Sequence, residues 1–161
     1  MELQTGISRD IYPMPAFVSL TVADVRRTVD WYVEALGFVA LFTMPGPNGE
    51  PALVHLRRWR YQDLLVRPGT PAPATGMVVS VSALAEELDG IAERARAHAA
   101  RTGTGSVEGP LDTPWNTADL RTTDPDGYPL VFTARRPEGR RDAAFEQRIT
   151  ELATDQLGDG A

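Results

Sequence analysis

The sequence predicts an α+β chain in which two βαβββ units follow one another and a helix closes the C-terminal end. Three observations predict it. First, the stretch from Ser19 repeats weakly from Val78, an offset of 59 residues: Leu20 falls on Val79, Val22 on Val81, Val25 on Leu84, Val29 on Leu88, Tyr32 on Ile91 and Leu36 on Ala95. The first positions alternate as on a half-buried strand, and the others recur every three or four residues as on one helix face. Second, DPDG joins TADLRTT to PLVFTARR, an Asp-Gly turn between two strands. Third, Phe145, Ile149, Leu152 and Ala153 carry helical spacing after Pro137. A chain made of two copies of one unit is expected to place its functional cavity where the copies meet.

Taken in order, Pro13 and Pro15 end an irregular arm, and AFVSLTV from Ala16 to Val22 is a strand. Asp24 is a good helix N-cap because its carboxylate accepts a free backbone N–H. The helix runs to about Leu36, where Gly37 stops it. FVALFT is a strand and MPGPNGEP a long turn, after which ALVHLRR and YQDLLVR pair as a hairpin with Trp59 at its tip. PGTPAPAT, from Pro68 to Thr75, links the halves. In the second half MVVSV is a strand, and Ser82 is expected to cap a helix with Leu84, Leu88, Ile91, Ala92 and Ala95 on one stripe. A loop, RTGTGS, and a short strand around Val107 precede the DPDG hairpin. The boundaries that follow are 14–68 and 76–136 for the two modules and 138–158 for the C-terminal helix, in one domain over 1–161.

Composition excludes several chemistries. The chain has no cysteine, so it offers no thiol nucleophile or thiolate metal site. All 16 basic residues are arginine, which rules out a lysine Schiff base. With two histidines, His55 and His98, a histidine-rich metal centre cannot be assembled; His98 reads as a solvated residue near the end of the second helix. The net charge of −6 argues against nucleic-acid binding and favours a neutral or cationic partner. No apolar run approaches ~18 residues and the N-terminus lacks a secretory pattern, so the expectation is a cytoplasmic protein that crosses no membrane.

Three stretches carry a family resemblance. LTVADVRRTVDWYVEALGF and DPDGYPLVF resemble the first strand-helix and last hairpin of the vicinal-oxygen-chelate superfamily of glyoxalases, dioxygenases and drug-resistance proteins. PWNTADLRTTDPDG, with Trp115 nine residues before Asp124, resembles its bleomycin-resistance branch. The resemblance covers about residues 14–136 and implies paired βαβββ modules whose mixed sheets curl into a cup, commonly in a dimer. It also implies a divalent metal held by His, Gln or Glu at equivalent strand positions. Those positions fall on Phe17, on Leu65 and Val131, and, by the repeat offset, on Gly76. None supplies a lone pair from an O, N or S side-chain atom, so no metal or other cofactor is expected.

Strand alternation then assigns the face of the cup. Val18, Leu20 and Val22 face the helices, which turns Phe17, Ser19 and Thr21 the other way; the same parity turns out His55, Arg57, Asp119, Arg121, Val131 and Thr133. The candidate ligand-binding set is Phe17, Ser19, Phe42, His55, Arg57, Trp115, Asp119, Arg121 and Val131. Each has a plainer reading. Trp115 is a stacking surface or a loop anchor, Asp119 and Arg121 contact a ligand or pair with each other, and His55 is a base or a hydrogen-bonded strand residue. Asp124 and Asp126 are turn formers, and the runs Arg57-Arg58-Trp59-Arg60 and Arg135-Arg136 are solvated faces. The expected function is metal-free sequestration of a small aromatic, antibiotic-like molecule, neutral or cationic, with rings stacked on Trp115, Phe17 or Phe42. The alternatives are a metal-independent enzyme using His55, Asp119 or Asp63 as acid or base, and an interaction module with a vestigial cup. A homodimer is expected from the resemblance, the apolar C-terminal helix and an exposed Trp59.

Overall fold

The computed structural model describes residues 6–158. The first module contains β1 (Phe17–Val22), α1 (Val25–Asp30) continuing into a π-helical turn (Trp31–Ala35), β2 (Val39–Pro45), β3 (Pro51–Arg57) and β4 (Asp63–Pro68). The second contains β5 (Val79–Ser82), a 3-10 turn (Ala85–Glu87) leading into α2 (Leu88–Thr102), β6 (Ser106–Asp112), β7 (Thr117–Thr123) and β8 (Pro129–Arg135). A 3-10 turn (Glu138–Arg140) and α3 (Ala143–Gly158) follow. The predicted α+β class with two βαβββ units and a C-terminal helix is the observed one. The sheets run β1-β4-β3-β2 and β5-β8-β7-β6, and they remain separate rather than closing into one. In each, the first strand pairs parallel to the last, and the remaining pairs are antiparallel.

Local chemistry explains the elements. The Asp24 carboxylate accepts from the Arg27 N–H at 3.0 Å and so caps α1. The widened turn after Asp30 lets both Trp31 and Tyr32 point inward, and Gly37, at φ +77°, reverses the chain. Leu20, Val22, Leu56, Leu64, Val66, Leu120, Leu130 and Phe132 share one buried cluster with Tyr32, Leu36, Leu88, Ile91 and Ala95. The opposite parity of every strand therefore lies on the helix-free face of its sheet. Apolar burial at roughly 25 cal/mol per Å² is the main source of stability here.

Several expectations are corrected. Ser82 does not cap a helix. It ends β5, its carbonyl accepts from Arg58 and Gln62, and the Glu87 carboxylate takes the Leu84 N–H instead. His98 is buried, edge-on to Trp31 at 5.5 Å between ring centres, with Glu34 and Arg101 at its Nδ1. Trp59 is buried in its turn, with the Arg58 guanidinium 4.5 Å from its ring centre. Arg57 and Arg58 are buried as well, not solvated. The strand around Val107 runs seven residues and contains a bulge between Glu108 and Leu111. The C-terminal helix starts at Ala143; its Phe145 is half-buried beside Trp115, while its Ile149 and Leu152 stay exposed.

Side chains rather than a β-ladder fasten the two modules. Tyr128 Oη donates to the Thr21 carbonyl at 2.7 Å and accepts from the Ala72 N–H at 3.0 Å. Arg58 and Gln62 donate across the seam to the Ser82 carbonyl at 3.0 and 2.9 Å. The predicted turn formers do more than turn. Asp124 accepts from the Asp126 and Tyr128 N–H groups, both at 2.9 Å, and faces Tyr32 Oη at 3.3 Å, while Asp126 accepts from the Ala23 N–H at 3.1 Å and pairs with Arg27.

Burial pushes the Asp124 carboxyl above its ordinary 3.8, with the Asp126 charge adding to the effect and the hydrogen bonds opposing it. Burial, with the Asp124 charge added, likewise holds the Tyr32 phenol well above its ordinary range, so it stays a donor. A raised carboxylate pKa means that the folded state binds the proton more tightly than the unfolded chain. Stability from this group is therefore present at low pH and is lost as pH rises from 3.8 through the folded pKa. Asp124→Asn keeps an oxygen for the two N–H groups and removes the charge. Its stability relative to the parent is expected to be best near neutral pH and to decline on acidification, measured by urea unfolding across that range.

Gly105 supplies a further test. It has φ +82°, and an added Cβ would lie 2.5 Å from the buried Trp31 ring. Gly105→Ala is expected to cost at least about 2 kcal/mol, combining a left-handed backbone with overpacking. The same urea titration measures it.

Candidate functional site

The ladders arrange the predicted residues in rows on the two helix-free faces. On the first sheet one row runs Phe17, Asp63, Arg57 across β1, β4 and β3, and the next runs Ser19, Leu65, His55, Phe42 across β1, β4, β3 and β2. On the second sheet the rows are Ser80, Val131, Arg121, Glu108 and Ser82, Thr133, Asp119, Leu111. Thus Phe17, Ser19, Phe42, His55 and Arg57 share one face, and Asp119, Arg121 and Val131 share the other. Phe17 is 50% exposed and Phe42 is 42% exposed, so aromatic surface is available to a ligand on the first face.

A buried polar cluster lies at the centre of the first face. His55 Nε2 and Arg57 Nε both lie 2.7 Å from Asp63 Oδ1. All three residues are buried, and Asp63 Oδ2 has no hydrogen-bond partner among the described residues. The arm preceding β1 crosses here. Arg57 Nη1 donates to the carbonyls of Ser8 at 3.1 Å and Asp10 at 2.5 Å, and Nη2 donates to that of Ile11 at 3.4 Å. The alternation of β3 identified His55 and Arg57 as facing this way. It carried no sign of the arm, which has no periodic pattern to betray its course.

The other predicted residues are placed as follows. Asp119 does not pair with Arg121; its Oδ1 accepts from Thr117 Oγ1 at 3.0 Å and Thr133 Oγ1 at 2.8 Å. Arg121 is exposed and makes no ion pair among the described residues. Val131 is buried between Ser80 and Arg121. Trp115, 56% exposed, lines a groove of about 520 Å³ with Thr117, Phe145 and Ile149, beside α3. Two cavities lie along the seam between β1 and β5. One, of about 270 Å³, is bounded by Ser19, Tyr32, Met77 and Tyr128; the other, of about 310 Å³, by Phe17, Phe38, Asp63 and Ser80.

The metal positions implied by the resemblance can be tested against this geometry. Continuing the β5–β8 register by one pair sets Val78, not Gly76, opposite Pro129, and this is the counterpart of Phe17 opposite Asp63. Gly76 lies in the linker before β5. Phe17, Leu65, Val78 and Val131 offer no side-chain donor, and a divalent cation needs several. Among the described residues no three His, Asp or Glu side chains are grouped to hold one. This chain's residues do not fit the metal site.

Comparison with known proteins agrees with the architecture. No described helix is long and apolar enough to cross a membrane. No curated protein matches the chain. Among solved structures it is similar to TioX from Micromonospora sp. ML1, with 22% identity over 74% of this chain and 96% of that one and a TM-score of 0.55. It is similar too to a genomically encoded fosfomycin resistance protein, FosX, from Listeria monocytogenes, complexed with Mn(II) and sulfate ion. There the identity is 14% over 78% and 94% of the two chains, and the TM-score is 0.57. An integron cassette protein from the mobile metagenome of Halifax Harbour sewage outfall shares 22% identity over 73% and 95%, with a TM-score of 0.55. These likenesses show the fold. The family model for the glyoxalase/bleomycin resistance protein/dioxygenase superfamily matches residues 15–132, and the chain belongs to that superfamily.

Proposed function

We propose that the protein is a metal-free member of its superfamily that binds a small aromatic, antibiotic-like molecule, on the pattern of the bleomycin-resistance branch. One observation carries the reading: the strand positions that would supply metal ligands hold Phe17, Leu65 and Val131, and Phe17 and Phe42 stand half-exposed on the helix-free face of the first sheet. Such faces bind planar rings by stacking and apolar contact, with few polar groups setting orientation. Asp119, held through one oxygen by two threonines, keeps its other carboxylate oxygen for a donor or a cationic group.

We further propose a homodimer. The exposed Ile149 and Leu152 of α3, beside Trp115, support it, because such an apolar helix face is normally covered. Trp59 no longer contributes to that argument, being buried in its own chain. Native mass spectrometry of protein purified from its own source tests both proposals. The expected species is a dimer in which each chain carries one organic molecule and no metal. A monomer, or one metal per chain that survives chelation, would be the contrary result.

A further inference from the structure

The N-terminal arm and Arg57 together describe the ligand. A guanidinium has five N–H donors in a fixed planar fork. Arg57 spends one on Asp63 and three on backbone carbonyls of the arm. A buried arginine on a sheet face ordinarily finds acceptors on neighbouring strands. Here they come from a segment without regular structure, whose Ile7, Ile11 and Tyr12 are exposed. Apart from partial packing of Ile7 beside Leu36, Trp59 and Ile91 and of Met14, these three hydrogen bonds are the ties between Gly6–Ala16 and the rest of the described chain. The arm reaches Arg57 on the row that carries Phe17, next on the same face to the row that carries Phe42, the aromatic surface assigned to the ligand.

We propose that the arm stands in for the ligand. On this view the carbonyls of Ser8, Asp10 and Ile11 occupy the positions of oxygen atoms that a planar aromatic ligand presents to Arg57, and the ligand displaces the arm. This rests on the aromatic-binding reading above and adds the chemistry of recognition. The Asp63 carboxylate already neutralises Arg57, so the fork's outer edge asks for neutral acceptors, carbonyl or ether oxygens, rather than a second anion. A ring without such oxygens would displace the arm and leave buried donors unpaired, which is costly.

Isatin, a planar indole carrying two adjacent carbonyl oxygens, and indole itself form the probe pair. Calorimetry compares the full chain with one beginning at Tyr12, thermal unfolding confirming that both fold. The shortened chain is expected to bind isatin about tenfold more tightly than the full chain does, with indole changed far less. The peptide GISRDIY, added in trans, should compete with isatin. Arg57→Lys in the shortened chain keeps the charge toward Asp63 but loses the fork, and should bring isatin down to the level of indole. The unaltered chain gives an independent readout: saturating isatin should speed tryptic cleavage after Arg9, and indole should not. Equal isatin affinity in both chains, equal gains for both probes, or unchanged cleavage would overturn the proposal while leaving aromatic binding intact. Failure of both probes to bind either chain would overturn the aromatic-binding reading along with it.

Discussion

Asp63→Ala should be among the most damaging substitutions in the chain, lowering stability by about 3–5 kcal/mol. Among the described residues Asp63 is the only anion on Arg57, and it is the partner of His55, each 2.7 Å away at the same oxygen. Its removal leaves a buried guanidinium without a counter-charge. The cost of an unpaired buried charge exceeds what the pair itself contributes, because the remaining partner keeps its desolvation penalty. For a domain of this size the melting temperature should fall by roughly 6–20 °C. Asp63→Asn keeps one acceptor oxygen and should fall between the two. Differential scanning calorimetry on all three proteins measures this. A loss below about 1 kcal/mol for Asp63→Ala would show that water reaches Arg57 freely.

Trp31, in the first helical segment, and Trp115, in the loop before β7, should respond in opposite ways. Trp31 has no exposed surface, meets His98 edge-on and lies against the backbone at Gly105. Trp31→Ala should cost about 3–5 kcal/mol through lost burial and the cavity left behind. Trp115 stands half in solvent beside α3, so Trp115→Ala should change stability little. On the proposed function it should instead weaken a planar ligand about 30-fold or more, the loss expected of a stacking anchor worth roughly 2 kcal/mol or above. Calorimetry with the ligand and thermal unfolding of both variants separate the two effects. If Trp115→Ala binds as the parent does but unfolds early, it is an anchor for α3.

The contrast between these residues shows what was legible in the sequence. Strand parity and helix stripes were readable because apolar burial repeats along the chain, as at Leu64 and Val66 or Leu88, Ile91 and Ala95. The Asp24 cap and the Asp-Gly turn were readable because their hydrogen bonds span only a few residues. Buried polar groups were not. His98 is buried because Trp31 and Glu34, far away in sequence, come to meet it, and Arg58 because Trp59, Glu87 and Phe132 surround it. Parity placed Arg57 and His55 on one face; that Asp63 joins them follows from the β1–β4–β3 register, and their sealing depends on an arm whose sequence has no period. Trp115 was expected over the sheet; that α3 returns beside it depends on the turns after Arg135, which no local pattern specifies.

The seam between the halves has a mechanical consequence. Within each module every strand is held by a continuous ladder, and deformation there breaks many bonds together. Between modules the polar connections are a few tyrosine, aspartate, arginine and glutamine side chains, and they surround one apolar cluster shared by both halves. The molecule is therefore built as two laddered sheets joined through one packed core. The separation of the two helix-free faces is thus set by packing in that core, by residues such as Trp31, Leu88 and Ile91 that lie on neither face.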